Sequence, residues 1–239
     1  MIDRHIAKLK ARCILSPDEE SAIRGSVVRI EDYPADHAVI RAGRTLDHST
    51  LLLDGIMCRA KMLRNGERQI TELHVAGDFA DLHSFTLKYL DHDVETMTRC
   101  RAAIVPHDNL RRISEQFPRL TRIYWFSTNL DAAIHREWEV SLGRRPARAR
   151  IAALFCELQI RLGIVGLADA RFFDLPLTQS DIAECTGLTN VHVNRTLRDL
   201  KADGLLEFKG GRVHVIDRDA LWSAGEFDPA YLYLDKRDR

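Results

Sequence analysis

The chain has 239 residues, 45% apolar and 29% charged, a balance that excludes wholesale disorder, a collagen-like fibre and a coiled-coil rod. Thirty-five basic and thirty-five acidic residues cancel to a formal net charge of zero. The chain as a whole therefore does not advertise capture by nucleic acid or an anionic membrane, although a local basic patch is left open. The longest apolar runs, 151–156 and 162–168, fall well short of the ~20 residues of a membrane span. The first ten residues hold no apolar stretch of the kind a secretory leader needs. Cys13, Cys58, Cys100, Cys156 and Cys185 are scattered and odd in number, which suits a reducing compartment, and a cytoplasmic location is expected.

In chain order, residues 1–30 read as helical, with Ile2, Ile6 and Leu9 at helical spacing and a cap at Ser16 before Pro17. From 31 to 104, short runs rich in Val, Ile, Leu and Thr are cut by Gly43, Gly55, Gly66 and Gly77. Asp54-Gly55 and Asn65-Gly66 are hairpin signals, and the spacing predicts a compact antiparallel β barrel or roll. Helix returns after Pro106. Leu120, Ile123, Ser127, Leu130, Ile134, Trp138 and Leu142 then recur every three or four residues. They form one stripe along a helix of roughly 25 residues, about 37 Å long. A helix packed only on its own roll would carry such a stripe. The polar flank (Thr128, Asn129, Asp131, Arg136, Glu139) and the seam-like spacing favour a dimer helix, with Leu120, Ile123, Ser127, Leu130, Ile134 and Trp138 at the interface.

Gly143-Arg-Arg-Pro146 is read as the break after this helix. The expected domains are 1–108 (N-terminal helix and sensor roll), 109–143 (dimer helix), 144–225 (winged helix-turn-helix) and a tail, 226–239. Arg144, Arg145, Arg148 and Arg150 cluster at the boundary, and residues 147–162 read as an amphipathic helix with Ile151, Leu154, Phe155, Leu158 and Leu162 on one face.

Residues 178–217 carry the function. Thr178-Gln-Ser-Asp181 is similar to a capping box and opens a short helix over 179–185. Gly187 permits a tight turn, Thr189 caps a second helix over 190–202, and Asp203-Gly204 closes it. This is a helix-turn-helix pattern. Projected at 100° per residue from Asn190, the inner residues Val193, Thr196, Leu197 and Leu200 fall between about 240° and 340°. Asn190, Val191, Asn194, Arg195, Arg198 and Lys201 fall between about 0° and 140°, on the opposite side. Amides, guanidinium groups and a small apolar side chain are the groups that read a major groove. His192 lies at the margin, as a flank contact. Thr178, Gln179, Thr189 and, on the Gly210-Gly211 wing, Arg212 complete the expected DNA surface. A polar helix face alone is usually just solvated; the ordered run of cap, glycine turn, second helix and wing argues against that here.

With these residues in place, the chain resembles the Crp/Fnr superfamily of bacterial transcription regulators over nearly its whole length. The resemblance rests on Leu51-Leu-Leu-Asp-Gly55, Val75-Ala-Gly-Asp-Phe79, the long helix, Leu177-Thr-Gln-Ser-Asp-Ile-Ala183 and Gly187-Leu-Thr-Asn-Val-His-Val-Asn-Arg-Thr-Leu197. It implies an α+β fold: an antiparallel β roll or jelly roll, a dimerisation helix and a winged helix-turn-helix. It also implies a homodimer on a palindromic double-stranded operator, with RNA polymerase as a partner and no membrane. Well-studied members carry Glu, Gly or Ser, and Arg at three reading positions that here hold Val191, Asn194 and Arg195. A shifted operator preference follows, toward a thymine methyl opposite Val191.

The sensory half departs further. In place of the stretches by which nucleotide-binding members hold ribose and phosphate stand Gly77-Asp-Phe-Ala-Asp-Leu-His-Ser-Phe85 and Leu90-Asp-His-Asp-Val94. Asp81, Asp91 and Asp93 would repel a phosphate, so cAMP is not expected as a ligand. Leu51, Leu53, Leu73 and Phe79 would line the roll, which its own side chains could equally fill. Cys13 stands alone where the oxygen-sensing branch has a cysteine cluster, so an iron-sulfur centre is not expected either. His74, His83 and His92 have no metal-ligand spacing, and the effector is left unknown. An enzyme on a cupin-like barrel would need two histidines one or two residues apart plus a carboxylate, and none is present. The alternative is an effector-binding or protein-interaction module without DNA binding; intact Arg195, Arg198 and Lys201 argue against it.

Overall fold

The structure, a computed structural model, describes residues 2–237. Helices α1 (Asp3–Lys10) and α2 (Pro17–Gly25) are separate because Ser16 starts the second. Its hydroxyl accepts from the Glu19 N–H at 3.2 Å, and the Glu19 carboxylate accepts from the Ser16 N–H at 2.8 Å. The helical reading to residue 30 is thus five residues too long, since α2 ends at Gly25 and β1 (Arg29–Tyr33) begins before residue 30.

Strands β2 (Ala38–Ile40), β3 (His48–Asp54), β4 (Ile56–Met62), β5 (Arg68–Val75), β6 (Asp93–Thr96) and β7 (Cys100–Pro106) follow, with a short helix α3 (Ser84–Leu87) after β5. They form two sheets of order β1-β7-β3 and β2-β6-β4-β5. Asp54-Gly55 joins β3 to β4, and Asn65-Gly66 lies between β4 and β5, as their turn chemistry predicts. Strand β3 is buried on both faces. Leu51 joins a core with Ile6, Phe79, Leu110 and Ile123, while Leu52 joins another with Met57, Leu90, Val94 and Ala102. Neighbouring residues of one strand serve two cores because successive side chains point to opposite faces.

Helix α4 (His107–Gln116) leads to α5 (Pro118–Arg144). Here the dimer stripe needs correction. Leu120, Ile123, Leu130, Ile134 and Trp138 are 0–7% exposed in the single chain, and Leu120 and Ile123 belong to the same core as Leu51. Ser127 is half-buried and donates to the Ile123 carbonyl at 3.1 Å. A side chain already covered by its own chain has almost no apolar area left to bury across a two-fold axis.

Helix α5 also runs through Gly143 and stops at Arg144, where Pro146 prevents continuation. There follow α6 (Ala147–Ile164), β8 (Phe172–Asp174), α7 (Gln179–Thr186), α8 (Asn190–Ala202), β9 (Leu206–Lys209), β10 (Arg212–Val215), α9 (Arg218–Ala224) and a 3-10 turn, Pro229–Leu232. α6 is buried on nearly all sides, Glu157, Gln159 and Arg161 included, so it is a core helix rather than an amphipathic surface one. The expected tail is partly core: Leu232 is fully buried, and the Tyr231 hydroxyl donates to Glu157 at 2.8 Å.

The chain divides into two compact units. One holds the residues up to Lys61, Glu72–Ala133 and the segment from Tyr233; the other holds Met62–Thr71 and Ile134–Leu232. Among the described residues no helix is long and apolar enough to cross a membrane.

Candidate nucleic-acid interface

Two local capping devices build this surface. The Thr178 hydroxyl accepts from the Asp181 N–H at 3.1 Å, and the Asp181 carboxylate accepts from the Thr178 N–H at 2.7 Å, which starts α7. Gly187 ends it with φ +62°, and the Leu188 N–H returns to the Ala183 carbonyl at 3.1 Å. Thr189 then starts α8, its hydroxyl accepting from the His192 N–H at 3.3 Å.

On α8 the predicted inner side is inner. Val193 and Leu200 are fully buried, and Thr196 and Leu197 nearly so. The helix packs on α6 and α7. Asn190, Val191, His192, Asn194, Arg195, Arg198 and Lys201 are all exposed, Val191 to 72%. The Asn194 amide donates to Gln179 Oε1 on α7 at 3.2 Å, which orients the outward amide. Among the described residues, Arg195 and Arg198 have no acidic partner.

Three expectations change. Lys201 pairs with Glu207 of β9, which draws its charge toward the wing. The arginines after α5 are used inside their own unit: Arg145 pairs with Glu137 at 2.6 Å, Arg148 with Asp203 at 2.5 Å, and Arg150 donates to the Thr186 carbonyl at 3.1 Å. These three hold the fold, while Arg144 is exposed at the end of α5. The wing has a third strand, in the order β8-β10-β9. Phe172 of β8 stacks on His214 at 4.4 Å, and the Arg212 guanidinium lies 5.2 Å from the Phe172 ring. Only the alternation of exposed Phe172, buried Phe173 and exposed Asp174 could have signalled β8, and three residues are too few to read.

Two family models match the chain: a cyclic nucleotide-binding domain over residues 30–117 and a Crp-like helix-turn-helix domain over 149–224. A probable transcriptional activator of Rhizobium leguminosarum is 30% identical over 77% of this chain and 75% of its own length. The chain belongs to the Crp/Fnr family of transcription regulators. The nitrogen fixation regulation protein FixK of Bradyrhizobium diazoefficiens is 30% identical over 70% of this chain and 69% of its own. The transcriptional activator protein FnrL of Cereibacter sphaeroides is 29% identical over 88% and 85%. The solved structure of FixK2 from Bradyrhizobium japonicum superposes with a TM-score of 0.76 at 24% identity, covering 83% of this chain and 97% of that one. These relatives are regulators rather than enzymes, and the fold class is the expected one.

A cyclic nucleotide in the roll of this Crp/Fnr protein would need cations and N–H donors for its phosphate. The buried Arg59 guanidinium is engaged elsewhere: Nε donates to the Ala80 carbonyl at 2.9 Å, Nη1 to Glu72 at 2.7 Å and Nη2 to Asp131 at 3.1 Å. Asp81 is fully buried, and burial pushes its carboxyl up to about 6 although the Thr50 N–H holds the ionised form. Asp91 and Asp93 are corrected. Asp91 is exposed and pairs with Lys61 at 2.6 Å, and half-buried Asp93 pairs with Arg41 at 2.8 Å, so a cation meets each carboxylate. Leu51, Leu73 and Phe79 are buried as expected, and Leu53 is half-buried. His74 lies 3.8 Å from Glu72, and His83 stacks on His92 at 5.4 Å. Among the described residues no group of three or more His, Cys, Asp or Glu could hold a metal. All five cysteines are buried and unlinked.

Proposed function

We propose that this protein is a homodimeric regulator that reads a palindromic operator through α8, inserting Asn190, Val191, Asn194 and Arg195 toward base edges and placing Arg198 and Arg212 near phosphates. Thr178, Gln179, Thr189 and His192 flank that contact, and Lys201, paired with Glu207, lies at its wing side. The observation that carries the reading is the outward face of α8: a capped, well-supported helix that presents amides and two unpaired guanidinium groups at one surface.

Half-site recognition by this class of helix needs two copies about one DNA turn, ~34 Å, apart. Because the apolar stripe of α5 is already covered, the dimer contact falls on its other side. There Trp125 is 68% exposed, at the edge of a groove of about 390 Å³ between α3, α4 and α5 whose accessible lining includes Phe85, Thr86, Ser114, Thr121 and Thr128. A self-complementary contact suits a two-fold dimer, with Trp125 of one protomer seated in its partner's groove. RNA polymerase contact and a cytoplasmic location belong to the same proposal and are in keeping with the family. A gel shift with fragmented genomic DNA tests the reading against that of a module without DNA binding. Retention of a discrete subset of fragments is expected; no retention, or uniform retention of all fragments, would refute it.

A further inference from the structure

The interior of the roll is arranged for a cation. Glu72, Asp78 and Asp81 are 0–2% exposed, and Asp131 reaches in from α5 with its side chain 17% exposed. Against these four carboxylates stand Arg59 and Lys8, the latter 2.5 Å from Asp78. The guanidinium of Arg59 donates to three different segments: the carbonyl of Ala80, the β5 residue Glu72 and the α5 residue Asp131.

We propose that this interior is a guanidinium site which the chain fills with its own Arg59, and that this internal ligand, in place of a nucleotide, fastens α5 to the roll. A nucleotide phosphate placed among these carboxylates would add a further anion to the set, which is unfavourable at the low dielectric of a protein interior. Burial and the neighbouring charge of Glu72 push the Asp131 carboxyl up to about 6, in keeping with an excess of acid around a single guanidinium. Sequence gave no warning of the arrangement: Arg59, Glu72 and Asp131 are separated by 13 and 59 positions and lie in no common motif.

The reading rests on the regulator assignment only for its DNA readout, so the test has two arms on the full-length protein. In the first, thermal unfolding of Arg59→Ala is followed in guanidinium chloride up to about 50 mM against sodium chloride at equal ionic strength, where a ligand bound only by the folded state raises the midpoint by mass action. Guanidinium is expected to raise the midpoint of Arg59→Ala saturably while lowering that of the wild type, and about 1 mM cAMP is expected to leave the wild type unmoved. Equal effects of the two salts on Arg59→Ala, or a cAMP-induced rise in the wild type, would overturn the site. In the second arm, Arg59→Lys, Asp131→Asn and their combination are titrated onto DNA selected by the wild-type protein. Each single change is expected to weaken binding about tenfold, and the pair no more than either alone, because both break one tie. Additive losses, or no loss, would overturn the role of Arg59 in holding α5. If the wild type selects no DNA, the regulator reading fails while the melting arm still decides the site. If Arg59→Ala does not fold, melting of Arg59→Lys and Asp131→Asn supplies the same cycle, with non-additive losses expected and additive ones contradicting it.

Discussion

Arg195 projects from the middle of α8 with no acid to neutralise it, between Asn194, which is oriented by Gln179, and the buried Thr196. On the proposed reading, a guanidinium in that position would make bidentate contact with a guanine edge. Arg195→Ala is expected to cost about 1–3 kcal/mol on a selected site and much less on random DNA, as measured by fluorescence anisotropy. Equal losses on both would make it a phosphate contact. A second residue-scale consequence lies far from DNA. His5 is 3% exposed, donates from Nδ1 to the Gly77 carbonyl at 2.8 Å, and packs on Phe79 at 5.1 Å. Burial holds its pKa down at about 4, from an ordinary 6.5. The unfolded chain therefore binds a proton that the folded chain refuses between these values. Its stabilisation is complete above pH 6.5 and is lost toward pH 4 at about 1.4 kcal/mol per pH unit. Urea unfolding of His5→Gln at pH 7, 6 and 5 is expected to show a shallower acid loss than the wild type; an unchanged slope would contradict this account of His5.

Among the elements, α6 depends on a charge that its sequence pattern conceals. Glu157 is 1% exposed and accepts from Trp138 Nε1 at 3.1 Å, Tyr231 at 2.8 Å and Arg161 at 2.8 Å. Glu157→Ala removes the carboxylate from three buried donors and is expected to destabilise its unit by about 3–5 kcal/mol in denaturant unfolding, with a loss under about 1 kcal/mol contradicting a structural role. The same element marks where the sequence stops being legible. The helix-turn-helix was readable almost to the residue because its signals are local: two threonine caps and a left-handed glycine fix α7 and α8 from within. The stripe of α5 was equally periodic, yet periodicity reports only that a face is buried, not whether the chain itself or a second copy covers it. Leu120 and Ile123, which the spacing alone places at an interface, are core. Glu157, Arg59 and Asp131 have no local signal at all, since their partners arrive from distant parts of the chain.

For the whole molecule, the charge balance of zero now has a spatial reading in each unit. Basic residues near the start of α6 are spent on Glu137, Asp203 and backbone carbonyls, while α8 keeps Arg195 and Arg198 free. Specificity should therefore rest on few groups, with a modest salt slope. If the Trp125 groove is the contact between copies, Trp125→Glu should give a monomer by light scattering and abolish tight binding to a palindrome, with each unit still folded; a dimer of unchanged mass would remove this face from the interface. The most direct measurement of the central claim is selection of bound sequences from a random DNA pool by the purified full-length protein without added nucleotide. Enrichment of two inverted half-sites with centres about 10–10.5 base pairs apart, or a small multiple of that, is the expected result. No enrichment, or a single unrepeated site, would contradict a homodimer that reads DNA through α8.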